Sequence, residues 1–544
     1  MSAVLPPSSA AAPRAAATLL LLRERAGVET LLLRRAPRAD DLHGDAWVFP
    51  GGGLSPDDRD AHAHCDGLAD ETASRRLGLG AGGLDYYVAA LRECFEEAGL
   101  LLASDADGRM LDAARLAGLE AARAALNAGE LDFATLCRTQ ALRLQPAALR
   151  YFAHWLTPPG LRKRFDARFF VALAPAGQAA VPDASETLEC AWLTAEAALE
   201  RRQELRLAHP TVKTLQWLRG FGTAAEVLQA VDGMRTVRRI MPRMGHGSKG
   251  RRPVNPDEPA YAEIGRLDPD GRGDVRYELD PGRVVTLTPR VRRITAGNGD
   301  LMTGAGTNSY LIDCGQGRDW ALIDPGPDDP AHVAALIAAL PGSLKWIFVT
   351  HTHKDHSPAA RAIQAATGAT LVGMRARHAE WQDPAFVPER VPTDGERFEL
   401  GAGVLLTAVH TPGHASNHFC YLLHEDRMLF TGDHIIQGST VVISPPDGDM
   451  REYLASLEKV RRLDVDWLAP GHGFLMDEPQ AMAQQLIAHR LSREAMIAAA
   501  WQAGARTLDA LRERVYVGLN PALHAMARRS ILAHLAKLDL TPEA

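Results

Sequence analysis

The sequence has no cysteine pair at C-x-x-C spacing; its six cysteines, Cys65, Cys94, Cys137, Cys190, Cys314 and Cys420, are scattered singly. That excludes a disulfide framework and fits free thiols in a reducing compartment. Long apolar runs are also missing. The run Leu19 to Leu22 is followed at once by Arg23, Glu24 and Arg25, too short for a signal-peptide core or a membrane span. The expected location is therefore the cytoplasm, with no membrane partner. Neither sign of charge dominates: the formal net charge of −7 argues against a general nucleic-acid or membrane-surface binder. No long-range internal repeat occurs. What is present is ordinary for a globular chain, 46% apolar and 23% charged residues over 544 positions. At roughly 150 residues per domain this length suggests about three domains.

Met1 to Ala17, rich in Ala, Pro and Ser, reads as a disordered lead-in. From Thr18 to Phe49 the pattern is strand-like and ends before Gly51-Gly52-Gly53. Helices are expected over Tyr87–Leu101, Ala113–Leu126 and Ala195–Leu205, with strands at Phe169–Ala174 and Cys190–Leu193. One mixed α/β domain thus covers 18–225. The Arg, Pro, Gly and Asp content of 226–283 reads as a solvated linker. A second alternation of strands and helices fills 284–480, and 481–544 is helical by pattern, broken at Gly504 and at Gly518-Leu519-Asn520-Pro521.

The segment LKWIFVTHTHKDHSPAA carries the most chemistry. A buried strand over Leu344–Val349 leads into His351, His353, Asp355 and His356. Side chains two apart on extended backbone share a side, so His351 and His353 can hold one ion while Asp355 and His356 face another. Three further candidates, His414, Asp433 and His472, each follow a strand-like run and are flanked by glycine. Imidazoles and carboxylates from several strand ends fit zinc first, with iron or manganese as alternatives.

The order H-x-H-x-D-H, T-P-G-H, T-G-D, P-G-H-G resembles the metallo-β-lactamase-fold hydrolases, and Gly306–Tyr310 and Ile323–Gly326 resemble that family's opening strands. The resemblance implies an αββα sandwich, with His351, His353 and His414 on one zinc ion. Asp355, His356 and His472 would hold the second, Asp433 would bridge, and Asp355 would also handle protons. Asp433 stands where most class B β-lactamases place a cysteine ligand, so antibiotic hydrolysis is not expected. The helical tail looks like the small winged-helix-like cap of the lactamase-β-2 type branch, whose characterised member cuts single-stranded RNA.

Upstream, LRECFEEAG places Arg92, Glu93, Glu96 and Glu97 on one helix. Carboxylates three and four apart can converge on one face, and a divalent cation, magnesium or manganese, would relieve their repulsion. R-E-x-x-E-E-x-G after a strand ending in Gly-Gly is similar to the Nudix box, which implies an α/β/α sandwich and attack of water on a diphosphate. The usual box places a further Glu between its Gly and Arg. Counted from Gly78, that place is held by Leu84, and about forty residues separate Gly52 from Arg92. Such an inserted loop, with A-H-W-L-T-P, R-F-D-A-R-F-F and A-W-L-T further on, resembles the coenzyme A diphosphatase branch. Glu186 and Glu189 are the candidate bases outside the box.

The whole is expected to be a bifunctional hydrolase. The carboxy-terminal site would cleave an ester, thioester or phosphodiester, and the amino-terminal site a nucleoside-diphosphate derivative such as coenzyme A. Its partners would be small molecules, acyl-CoA among them. The alternative is a single-stranded RNA endoribonuclease with the Nudix domain as a nucleotide-binding regulatory module. The sequence leaves the oligomeric state open.

Overall fold

The leucine run that is too short for a membrane is the middle of a central strand. In the computed structural model, which describes residues 12–25, 27–37 and 44–543, Leu19 to Leu22 are all fully buried within the strand Arg14–Glu24. Leu19 and Leu21 face one apolar cluster, and Leu20 and Leu22 face another. Both faces of the sheet are covered, which is why the run is continuous and not alternating. The expected lead-in lies outside the described residues up to position 11, but Arg14–Ala17 is already strand, paired in parallel with Phe165–Arg168.

The chain forms two compact units, one reaching Met244 and including Asp270–Arg272, the other comprising Gly245–Pro269 and the chain from Gly273 on. In the first, an eight-stranded mixed sheet is built around Arg14–Glu24. The helix Gly83–Ala98 covers one face, and helices Ala195–Glu200, His209–Leu218 and Ala224–Asp232 cover the other. This is the expected α/β/α sandwich. The helix expected over Ala113–Leu126 is two, Ala113–Ala117 and Glu120–Asn127, parted at Gly118 and Leu119.

In the second unit, a six-stranded sheet over 284–372 packs on a five-stranded sheet over 397–470. Tyr310, Ile312, Ile323 and Phe348 of the first meet Leu406, Phe419, Tyr421 and Phe430 of the second in a shared core. Helices Pro330–Ala339 and Ala360–Thr367 pack outside the first sheet, and Met450–Arg461 and Pro479–Gln502 outside the second, completing αββα layering. Leu508–Val515 and His524–Lys537 fold onto the end of Pro479–Gln502 around Ile497, Leu511, Ile531 and Leu535.

The stretch 226–283 is not the solvated linker its composition suggests. It contains the strand Gly250–Val254 and the helix Tyr261–Leu267, whose Ile264 packs with Val254 and Phe474. Within that helix Glu263 is buried and accepts two hydrogen bonds from the buried Arg293, at 2.6 and 2.8 Å, and one from Leu475 N–H at 2.9 Å. Composition obscures this because the partners of the charged residue lie far along the chain.

Candidate functional site

In the second unit, strands Asp319–Ile323 and Ser343–Phe348 run parallel, as do Met428–Gly432 and Trp467–Pro470. Parallel neighbours bring their carboxyl ends to one edge, where α/β folds bind ligands. At those ends stand Asp324, His351, Asp433 and His472; His353, Asp355 and His356 follow in the turn, and His414 follows Val404–His410. Among the described residues three groups have donor atoms within 4.8 Å of one another: His351, His353 and His414; His351, His356 and Asp433; Asp355, His356 and His472. All seven predicted residues are therefore brought together.

The hydrogen bonds fix which nitrogen each ring offers. His356 Nδ1 donates to Asp324 Oδ2 at 2.9 Å, His414 Nδ1 to Val442 O at 2.8 Å and His472 Nδ1 to Gly306 O at 3.2 Å. Thr350 Oγ1 gives its proton to Asp324 Oδ2 at 2.8 Å, so its lone pair faces His351 Nδ1 at 3.1 Å. Burial keeps the His351 and His414 rings neutral, with Nε2 unprotonated. Asp355 and Asp433 instead push the His356 and His472 rings up against burial, so their Nε2 carries a proton toward those carboxylates until a metal displaces it. His353 Nδ1 lies 2.9 Å from His351 Nε2 and 3.1 Å from His414 Nε2. A proton on His353 Nδ1 can satisfy only one of these two nitrogens at a time, and a cation among them would satisfy all three. His356 Nε2 and Asp433 Oδ1 are buried with no hydrogen-bond partner among the described residues. A set of imidazole nitrogens and carboxylates with unpaired buried polar atoms fits divalent metal ions.

The electrostatics divide the cluster: His351, His353 and His414 are held neutral, while His356 and His472 are raised by the carboxylates they face. Burial, reinforced by His414, pushes the His353 ring down to about 3, so it stays neutral with its lone pair free. Burial works to raise the Asp355 carboxyl, but His356 and His472 hold it far below the usual carboxylate range. Thr307 Oγ1 donates to Asp355 Oδ2 at 3.2 Å and fixes its orientation. Gly471 is required by close approach: a Cβ there would lie 2.7 Å from both Asp433 Oδ1 and His356 Cε1. Sequence reasoning missed the role of Asp324, although D-P-G directly after a strand marked it. It also missed His418 and His434, both buried, with the His418 ring 5.1 Å from that of His351.

In the first unit the helix Gly83–Ala98 presents Arg92, Glu93, Glu96 and Glu97. Gly52 lies over Glu93, whose carboxylate a Cβ would meet at 2.4 Å. Glu97 Oε2 accepts from Gly51 N–H at 2.9 Å. Arg92 Nη1 donates to Glu93 Oε1 at 2.9 Å and to Glu96 Oε2 at 2.8 Å. The three carboxylates face one side but do not converge as the histidines do, because Arg92 and Gly51 N–H take them separately. Burial, opposed by Arg92 and aided by Glu96, pushes the Glu93 carboxyl up to about 7.

Leu84 is buried in the core and plays no part in the site. A carboxylate that does meet Arg92 is Asp58. It is fully buried and accepts from Arg92 Nε at 2.7 Å, Arg92 Nη2 at 3.2 Å and Ser55 N–H at 2.7 Å. The signal was available: five residues separate Gly52 from Asp58, so the insertion falls after the acid and not before it. Of the candidate bases, Glu186 lies where its charge acts on Glu96 and Glu97, at the end of a turn pinned by Thr187 Oγ1 to Glu97 O at 2.8 Å. Glu189 pairs with Arg34 at 2.5 Å on an exposed strand.

Comparison with known proteins agrees with both halves. The metallo-beta-lactamase superfamily model matches residues 302–472, the NUDT19 Nudix domain model 80–218, and the beta-lactamase associated winged helix domain model 507–539. The lactamase-like protein vrtG of Penicillium aethiopicum is 35% identical over 209 residues, 38% of this chain and 64% of that protein. The atrochrysone carboxyl ACP thioesterase of Aspergillus fumigatus is 33% identical over 227 residues, 41% of this chain and 68% of that protein. The beta-lactamase-like protein 2 homolog of Drosophila melanogaster is 33% identical over 225 residues, 39% of this chain and 74% of that protein. The chain belongs to the metallo-beta-lactamase superfamily and carries a Nudix domain ahead of that fold. Both matched domains are of hydrolase families, and no helix among the described residues is long and apolar enough to cross a membrane.

Proposed function

We propose that the second unit holds two zinc ions and hydrolyses a thioester, and that the first holds magnesium on Glu93, Glu96 and Glu97 and cleaves a nucleoside-diphosphate derivative. Convergence of one ring nitrogen each from His351, His353 and His414, with His353 Nδ1 within 3.1 Å of both others, carries the reading. These three would hold one ion, Asp355, His356 and His472 the other, with Asp433 between them. Divalent ions bound there acidify water and stabilise the developing oxyanion. The chain's own residues supply the rest. Asp324 orients His356, and Thr307 holds Oδ2 of Asp355, the carboxylate to which we assign proton handling. The choice of thioester among the acyl and phosphoryl esters is supported by the named thioesterase among the relatives. In the first unit Gly51 and Gly52, lacking side chains, lie directly against Glu97 and Glu93, and Glu186 stands beside the carboxylates as the proton acceptor.

The test is incubation of the full chain with an acyl-CoA after metal analysis, following free thiol and phosphopantetheine separately. Asp355→Asn should abolish thiol release and spare phosphopantetheine formation, and Glu96→Gln with Glu97→Gln should do the reverse. No turnover at either bond refutes the reading. The second reading, weakened by the net charge of −7, takes single-stranded RNA as the substrate. That reading requires nicking of single-stranded RNA that is lost in Asp355→Ala and falls steeply with salt.

A further inference from the structure

The long helix Pro479–Gln502 belongs to two places at once. Beyond its middle, Ile497 and Ala500 enter the core of the carboxy-terminal cap. Arg493 Nη1 donates to Val515 O at 2.8 Å, and Glu494 accepts from Lys537 Nζ at 2.7 Å and His534 Nδ1 at 3.3 Å. These contacts fix the helix against the cap. One turn earlier, Arg490 points the other way and is only 3% exposed. Its Nη2 donates to Val441 O at 2.5 Å, and its guanidinium lies 5.4 Å from the centre of the Tyr453 ring.

Val441 and Val442 lie in neither strand nor helix, so no ladder sets the direction of their carbonyls. Side chains do. Val441 O is taken by Arg490, and the next carbonyl, Val442 O, accepts from His414 Nδ1 at 2.8 Å. The same arginine packs on Tyr453, whose hydroxyl donates to His434 O at 3.0 Å, one residue after Asp433. The backbone of Tyr453 also lies against Gly413, where a Cβ would meet Tyr453 Cα at 2.3 Å. The Arg490 side chain is thus one carbonyl away from the group that selects the free nitrogen of His414.

We propose that Arg490 is a positioning residue: through Val441 and Val442 it sets the ring of His414, and it ties the geometry of the His351, His353 and His414 cluster to the docking of the cap. A buried arginine kept only for packing would stabilise the fold and leave ligand geometry alone. A partner orienting a ligand's outer nitrogen changes metal affinity, by about 10- to 100-fold where such partners are removed. The proposal rests on the reading of that cluster as a metal site.

The experiment is a cobalt(II) titration of the full chain, reading affinity and the visible spectrum of the histidine-bound ion well below the melting temperature. R490M, which keeps the stem but no donor, should weaken cobalt binding by about 10-fold or more. It should also change the spectrum of the ion bound to the three-histidine cluster. R490K should fall between, since an ammonium cannot stack on Tyr453 and reach Val441 O as a guanidinium fork does. Affinity and spectrum matching the unaltered protein in both variants, whatever happens to stability, overturns the proposal. If R490M does not fold, R490K is read alone on the same terms. Absence of cobalt binding in the unaltered protein would instead overturn the metal reading.

Discussion

Replacing Asp58 with alanine should uncouple the Nudix box from its own arginine. Asp58 is fully buried and the Arg92 side chain only 11% exposed, so the deletion leaves a guanidinium edge facing the space vacated by its acceptor. Breaking a buried ion pair by removing one partner costs about 3–5 kcal/mol. Arg92 keeps Glu93, Glu96 and Gly53 O, which places the loss toward the lower end of that range. Ser55 N–H also loses its acceptor, adding about 1 kcal/mol. For a domain of this size, each kcal/mol shifts melting by about 2–4 °C. Calorimetry of the full chain should therefore show the transition of the first unit lowered by about 6–16 °C, with the second unaffected. The freed guanidinium should draw closer to Glu93 and Glu96 and compete with magnesium. Titration should show a weaker magnesium site in Asp58→Ala, largely restored in Asp58→Glu. A shift under about 2 °C with unchanged magnesium affinity would refute the reading of Asp58 as the acid that holds Arg92.

Three further outcomes follow from the geometry. Asp324→Asn removes the acceptor that holds His356 and should lower metal affinity by about 10- to 100-fold, measured by competition with a chelator. Gly471→Ala drives a methyl group against Asp433 and His356 and should cost about 1–3 kcal/mol and reduce metal content; normal stoichiometry would show that the loop yields. Glu93, held up near 7 chiefly by burial, must release a proton to bind magnesium, so affinity should rise between pH 6 and 8, with proton release seen calorimetrically in buffers of different ionisation enthalpy. For the metal-free protein the sign is opposite: folding favours the protonated acid, so this contribution to stability fades as pH rises from 4.5 toward 7.

The clustering of the seven predicted side chains in the second unit was legible because each follows its strand within a few residues, so local pattern and site geometry coincide. The same holds for Glu93, Glu96 and Glu97, which helical periodicity places on one face. What was not legible depends on contacts between distant positions. Asp324 meets His356 across 32 positions, and Asp58 meets Arg92 across 34. Counting back from Arg92 at fixed spacing led to Leu84, a core residue, because the count passed through the insertion. The reading of 226–283 as linker failed for the same reason: Glu263 sits on a helix, and its partner Arg293 is on a strand 30 positions away.

The Glu263 and Arg293 pair decides where this protein can be cut. A fragment starting at Val284, where the fold pattern begins in sequence, would discard the helix Tyr261–Leu267 and leave Arg293 buried without its carboxylate. Loss of one partner in such a pair costs about 3–5 kcal/mol, enough to undo much of a typical domain's stability. Leu475, three residues past His472, would lose its acceptor at the same stroke. Separation of the two units should therefore begin at Gly245, so that the second retains the segment that holds the loop after His472 in place.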